Sequence, residues 1–271
     1  MKHRMVRGAV AAFALALVLG CAGTAFAEEK IQLAILLDTS NSMDGLIGQA
    51  KAQLWKVVNE LARARRNGRH PQLEVALFEY GNDNLRESEG YLRMVSDLTA
   101  DLDLISEKLF GLTTNGGDEY CGEVIGRAVD RLGWSRSDDV LKVVYIAGNE
   151  PFDQGYVSYK ASALRAAKKG IIVNTIFCGT FEEGVDTFWK DGAIRAEGRY
   201  MAIDQDAAVE EVVTPFDREL VRLGEELNGT YVAYGREGET SKERQAVQDK
   251  NAAAMGAASS VQRSVAKAQE A

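Results

Sequence analysis

Histidine, cysteine and long apolar runs are all scarce in this chain, and each scarcity removes a class of function. The 271 residues hold two histidines. His3 lies in an N-terminal segment expected to be removed, and His70 in a loop. A histidine-based metal site and a Ser-His-Asp triad are therefore set aside. No Gly-x-Ser-x-Gly elbow, phosphate-cradling Gly-Lys-Ser loop or dinucleotide fingerprint is present either, which argues against the common hydrolases and nucleotide enzymes. The apolar run Ala9 to Leu19 is 11 residues long. A permanent membrane helix needs about 20.

What does stand at the N-terminus has the pattern of an export signal. Lys2, Arg4 and Arg7 precede the apolar run, and Ala25-Phe26-Ala27 supplies the small residues a signal peptidase reads. Residues 1–27 are thus expected to be cleaved, giving a periplasmic or secreted protein. Val18-Leu19-Gly20-Cys21 resembles a lipobox, so a lipoprotein anchored through Cys21 is the alternative. The remaining chain would carry 29 basic and 40 acidic side chains, a net charge of −11. Nucleic acid and anionic membrane surfaces are poor partners for such a charge. Two of the three cysteines, Cys121 and Cys178, would survive, an even pair in an oxidising compartment.

Past residue 28 the hydrophobic pattern alternates between strand and helix. Gln32 to Leu37, Leu73 to Tyr80, Tyr91 to Leu98, Leu141 to Ala147, Ile171 to Phe177 and Tyr200 to Ile203 read as strands. Between them fall helical spacings: Met43 to Leu61 stopped by Asn67-Gly68, a helix capped by Thr99, one through Leu132, Ser158 to Lys169 closed by Gly170, and a short one near Val185 to Ile194. Such alternation predicts an α/β fold, a doubly wound, mainly parallel sheet flanked by helices. Ligands of such sheets sit at the carboxyl ends of the strands, where the strand order reverses. The expected domain runs over 28–235, with its core at about 30–204. It includes a helical turn over Ala207 to Val213, a helix opened by Thr214-Pro215 and a short closing strand, Thr230 to Tyr234. Residues 236–271, rich in Ala and Gln, read as a C-terminal helix or tail, solvated or loosely docked, or else partner-binding.

Chemistry concentrates directly after the first strand. Asp38, Ser40 and Ser42 occupy alternate positions in Asp38-Thr39-Ser40-Asn41-Ser42, so one carboxylate and two hydroxyls can aim at one point. An all-oxygen set suits a hard divalent cation, Mg²⁺ first and Mn²⁺ or Ca²⁺ next. An isolated pentapeptide of this kind would also serve as a helix N-cap; its placement after a buried strand favours the metal.

The run Leu33 to Met43 resembles the opening strand and metal-ion-dependent adhesion site of von Willebrand A domains. Matches in the same order follow at Val95 to Leu112 running into Gly116-Gly117, at Leu141 to Ala147, at Gly170 to Cys178 and at Gly198-Arg199-Tyr200. The resemblance implies a Rossmann-like fold and a metal set of Asp38, Ser40, Ser42 and Asp118. Asp118, with Glu119 beside it, stands where the family commonly has threonine. The family's aspartate after the fourth strand falls on Gly148, which leaves Asn149 and Glu150 as substitute ligands or supports, or as turn residues before Pro151. Both cysteines are placed near the ligand end of the sheet, as a disulfide bracing the acidic loop or as two small buried apolar groups.

The functional expectation is an extracytoplasmic, metal-ion-dependent protein-binding module, non-enzymatic, whose cation is completed by an Asp or Glu of an envelope or extracellular protein. One alternative is a Mg²⁺-dependent phosphatase-like hydrolase, although Ser40 occupies the position where such enzymes carry their second aspartate. Another is a scaffold whose metal site is vestigial.

Overall fold

The computed structural model describes residues 30–65, 70–203, 216–254 and 256–270. The expected signal segment with Cys21, the Asn67-Gly68 stop, the helical turn near 207–213 and the Thr214-Pro215 cap lie outside the described residues.

Six strands form one sheet in the order β3-β2-β1-β4-β5-β6. They are β1 (Lys30–Asp38), β2 (Gln72–Tyr80), β3 (Leu92–Thr99), β4 (Leu141–Gly148), β5 (Ile171–Cys178) and β6 (Tyr200–Ile203). All neighbours pair in parallel except β2 and β3, which are antiparallel. The apolar runs of β1, β4 and β5 follow from this placement, since a central parallel strand is covered on both faces. Along β1, Leu33, Ile35 and Leu37 enter one core, and Ala34 and Leu36 the other. The second helix, α2 (Leu102–Gly111), and the first, α1 (Ile47–Arg63), contribute Leu109 and Leu54 to the same core as Leu33. On the opposite face, α3 (Cys121–Arg131) and α4 (Tyr159–Lys168) bury Val124, Ile125 and Ala163.

Several elements differ in detail from their sequence patterns. The cap of α2 is Asp101, whose carboxylate accepts the Leu104 N–H at 2.9 Å, while Thr99 accepts the Asp101 N–H at 3.1 Å. The single short helix expected near 185–194 is two, α5 (Phe181–Asp186) and α6 (Trp189–Arg195), broken where Phe188 takes a φ of 70°. No closing strand forms over 230–234. Helix α7 (Asp217–Thr230) runs through Thr230, and a non-helical link leads into α8 (Gly235–Ala254) and α9 (Ala257–Glu270).

Polar groups link the C-terminal helices to one another and to α2. Asp249 on α8 accepts from Asn228 at 2.7 Å and pairs with Arg263 at 3.3 Å and Lys267 at 2.5 Å on α9. Arg263 also reaches Asp103 of α2 at 3.6 Å, and Arg244 reaches Asp101 at 3.2 Å. Gly224 lets α7 approach α9 closely, since a Cβ there would meet the Ser264 hydroxyl at 2.4 Å. Among the described residues no helix is long and apolar enough to cross a membrane.

Candidate metal centre

The strand order reverses on either side of β1, which is flanked by β2 and β4, so the crevice at their carboxyl ends is where a doubly wound sheet binds ligands. Asp38, the last residue of β1, sits there with no exposed surface. One of its oxygens, Oδ1, accepts the Ser40 N–H at 2.8 Å. The other, Oδ2, is buried without a hydrogen-bond partner. An uncompensated buried carboxylate oxygen is costly, and among other oxygen donors a proton or a bound cation would offset that cost.

The loop beyond Asp38 is held rigidly. The Thr39 N–H and hydroxyl both donate to Tyr80 O, at 2.9 and 3.2 Å. A turn of 3-10 helix over Asn41–Met43 follows, pinned by the fully buried Met43, while Ser42 stays at the surface. This turn brings the Ser40 and Ser42 hydroxyls within 2.8 Å of each other. Ser42 then donates to Asn149 Oδ1 at 2.9 Å, and Asn149 returns its amide to Ser42 O at 3.0 Å. The first and third loops are thereby joined.

The second loop enters through two glycines and an asparagine. Gly117 has a φ of 133°, and a Cβ on it would fall 2.4 Å from Gly81 O, so only glycine fits. A Cβ on Gly81 would in turn fall 2.7 Å from Asp38 Oδ1 and 3.0 Å from Glu119 Cγ. Asn82, 4 % exposed, donates its amide to Thr39 O and to Thr113 O, at 3.3 and 3.1 Å. The Asn115 N–H donates to Thr39 O at 3.0 Å.

This path turns Glu119 inward, to 5 % exposure, and leaves Asp118 exposed. Asp118 accepts the Tyr120 hydroxyl at 3.1 Å and lies on the outer rim. Of the residues marked by the sequence, Asp38, Ser40, Ser42, Glu119 and Asn149 come together, whereas Asp118 stands outside that group. Glu150 is near enough to oppose the ionisation of both Asp38 and Glu119. Burial pushes the Asp38 carboxyl up to about 7, the Glu150 charge adds to this, and hydrogen bonds from Ser40 pull the other way. Glu119 is pushed up to about 8 by burial first and then by the charge of Asp38.

Gly148 has a steric explanation. A Cβ there would stand 2.6 Å from the Tyr80 hydroxyl and 3.0 Å from Asp38 Oδ2. Tyr80, paired with Asp38 across β1 and β2, is fully buried and donates to Ala147 O at 3.1 Å. The place an aspartate would fill at the end of β4 is taken by a phenol from β2. Tyr80, Gly81 and Asn82 escaped the sequence reading. The signal was a polar turn directly after a buried strand, the same placement that helped mark Asp38.

The expected disulfide is corrected by the structure. Cys121 and Cys178 are both buried free thiols. Cys121 packs into the core under α3, with its sulfur 3.7 Å from the Tyr80 hydroxyl, and Cys178 belongs to the core on the other face of the sheet. A strand's side chains alternate between faces, so nearness to one sheet end does not place two side chains on one side of it.

Among the described residues no group of three or more His, Cys, Asp or Glu is arranged to hold a metal on its own. A cation here would need hydroxyl oxygens beside the carboxylates. The unpartnered Asp38 Oδ2, the paired hydroxyls and the space left by Gly81 make an all-oxygen set that fits a hard divalent ion.

A doubly wound sheet with an oxygen-lined crevice at the end of its first strand defines the class, and comparison with solved structures defines the fold. The VWA domain of SpRpn10 superposes with a TM-score of 0.50 at 14 % identity, over 66 % of this chain and 91 % of that one. The chain has the von Willebrand A fold. Similarity also extends to the conserved hypothetical protein BatB from Bacteroides thetaiotaomicron, with a TM-score of 0.46, 18 % identity and coverage of 64 % and 90 %. A third is proximal thread matrix protein 1 from the mussel byssus with a zinc-occupied MIDAS motif, with a TM-score of 0.45, 13 % identity and coverage of 67 % and 43 %. No family model and no curated protein matches the chain.

Proposed function

We propose that the protein is an extracytoplasmic, non-catalytic binding module whose ligand affinity depends on a divalent cation, Mg²⁺ first. Asp38, Ser40 and Ser42 would hold the ion, Glu119 would support it from the second loop, and Asn149 would fix Ser42. The observation that carries this is the buried, unpartnered Oδ2 of Asp38 beside two hydroxyls. A bound hard cation supplies a site at which water exchanges for a carboxylate. This chain's own part is to hold the oxygens in place and bury the Asp38 charge, and a partner's Asp or Glu is the expected ligand. The export-type N-terminal sequence supports an envelope or extracellular partner.

A catalytic reading has less support. Nothing beside Asp38 offers a second aspartate two residues on, because position 40 is a serine engaged with Ser42. A scaffold with a vestigial site draws on one observation, the occupation of the Gly148 space by Tyr80.

Two measurements test the proposal together: calorimetric titration of Mg²⁺, and capture of envelope proteins on the immobilised chain with and without EDTA. Mg²⁺ binding lost in Asp38→Ala, and capture lost with EDTA, are expected. Mg²⁺ binding unchanged in Asp38→Ala, or capture indifferent to EDTA, sinks it.

A further inference from the structure

At the opposite end of the strands, where β4 begins, lies a cavity of about 610 Å³. Its walls are the end of α3, the loop from Trp134 to Asp138, and the end of α4 with Gly170. In a chain of net charge −8 its lining is cationic. Lys142, the second residue of β4, is 6 % exposed, and its ammonium reaches only the Ser135 carbonyl, at 3.3 Å. Among the described residues it has no carboxylate partner, and neither do Arg136 and Lys168. Lys169 does, pairing with Asp130 at 2.8 Å. Asp138 is the remaining lining carboxylate. Three uncommitted cations against one uncommitted anion leave a surplus of about two positive charges, using integer charges for Lys, Arg and Asp at neutral pH.

The loop that carries Arg136 is tied to the sheet. Gln32 Oε1 accepts the Ser135 N–H at 2.7 Å, which sets Ser135 O in front of Lys142. Gly170, with a φ of +65°, follows the end of α4, and a Cβ there would make only ordinary contact with Lys142 Nζ, at 3.7 Å. The remaining wall is apolar: Val129, Leu132 and Trp134, whose indole N–H is already given to Ala128 O at 2.9 Å.

Cations at the ends of α3 and α4 would also arise merely to offset the helix dipoles. That account does not cover Lys142, which is on a strand, buried, and short of a counter-charge. A carbonyl alone leaves the Lys142 charge unneutralised, and an anion in the cavity would supply the counter-charge. We propose that this cavity binds a phosphate monoester. Its charge of about −1.5 to −2 at neutral pH matches the surplus. Lys142 and the guanidinium fork of Arg136 would take the phosphoryl oxygens, and the Trp134 wall the organic body.

The test is calorimetric titration of the full chain with phenyl phosphate in EDTA, beside inorganic phosphate. Saturable one-to-one binding is expected, weakening with added salt and tighter for the ester than for the free ion. Arg136→Ala and Lys168→Ala change exposed side chains, so they leave the fold intact; each should weaken binding roughly three- to tenfold by loss of a charge-assisted contact. Lys142→Met should weaken it more. Asp38→Ala, at the other end of the strands, should bind as the wild type does. No saturable binding by the wild type, equal affinity in Arg136→Ala and Lys168→Ala, or loss of binding in Asp38→Ala would each overturn the proposal. Free phosphate binding as tightly as phenyl phosphate would overturn the assignment of the Trp134 wall.

Discussion

The Tyr80 hydroxyl stands 2.6 Å from where a side chain on Gly148 would begin. The two residues are on strands separated by β1, and they meet above Asp38, whose free oxygen lies 3.0 Å from the same point. A side chain at one position therefore excludes a phenol at the other.

Gly148→Ala should destabilise the protein by roughly 1–3 kcal/mol through overpacking. Tyr80→Phe removes the atom that collides first, at the cost of its bond to Ala147 O, about 1 kcal/mol. The double variant should be more stable than the sum of the two losses. Urea unfolding of all four proteins measures this coupling, and strict additivity would show the contact to be unimportant.

Glu119 and Asp118 should behave oppositely despite being neighbours. Glu119→Gln removes a carboxylate buried beside Asp38 and should lower Mg²⁺ affinity roughly tenfold or more. Asp118→Asn changes an exposed group bonded to Tyr120 and should leave affinity within about threefold. Calorimetry that reversed this order would restore Asp118 as the ligand.

The metal-free protein should lose stability as the pH rises from about 4 to about 8. In the folded state the Asp38 and Glu119 carboxyls sit at about 7 and about 8, against ordinary values of 3.8 and 4.5. Within that window the folded chain keeps protons that the unfolded chain has released. The contribution is whole below the unfolded values and gone above the folded ones. Melting temperatures in EDTA, compared between wild type and Asp38→Asn, isolate the effect: the variant's advantage should grow with pH. Mg²⁺ should raise the wild-type melting temperature more at pH about 8 than at about 5, because the ion binds the charged forms. An advantage that did not change with pH would contradict the buried, uncompensated setting of Asp38.

Asp249→Ala should loosen the C-terminal helices. It leaves Arg263 and Lys267, 6 % and 8 % exposed, short of their shared carboxylate. A loss of roughly 2–4 kcal/mol is expected, as for one partner removed from a mostly buried ion cluster. Hydrogen exchange should show lost protection in α9 while β1 and β4 keep theirs. Unchanged protection in α9 would mean that packing, not the ion cluster, holds it.

The pattern of strands was legible because β1, β4 and β5 are covered on both faces, and continuous apolar runs such as Leu33 to Leu37 have no other use in a chain of this charge. The Asp38 loop was legible for a local reason: Asp38, Ser40 and Ser42 are two residues apart, and one turn suffices to gather them. Helix ends were less so. Thr99 and Asp101 are both good caps, and the choice fell to Asp101, whose carboxylate reaches the Leu104 N–H while Thr99 is still in β3. The C-terminal stripe of Val and Ala fitted a solvated, a loosely docked or a partner-binding helix alike, because Asp249, Arg263 and Lys267, which join α8 to α9, are charged residues that read as solvated.

By itself the sequence determined the alternation of strands and helices, the position of Asp38 at the end of a buried strand, and the all-oxygen chemistry of the loop that follows. Each depends on residues close together in the chain. Tertiary structure alone decided which of Asp118 and Glu119 faces Asp38, because the direction of that loop is set by Gly117 lying against Gly81. It alone decided that Tyr80 fills the space before Gly148. It also separated Cys121 from Cys178, since the two belong to cores on opposite faces of one sheet. These outcomes turn on which side chains from distant segments claim the same few cubic ångströms, and close packing settles that only once all the strands are side by side.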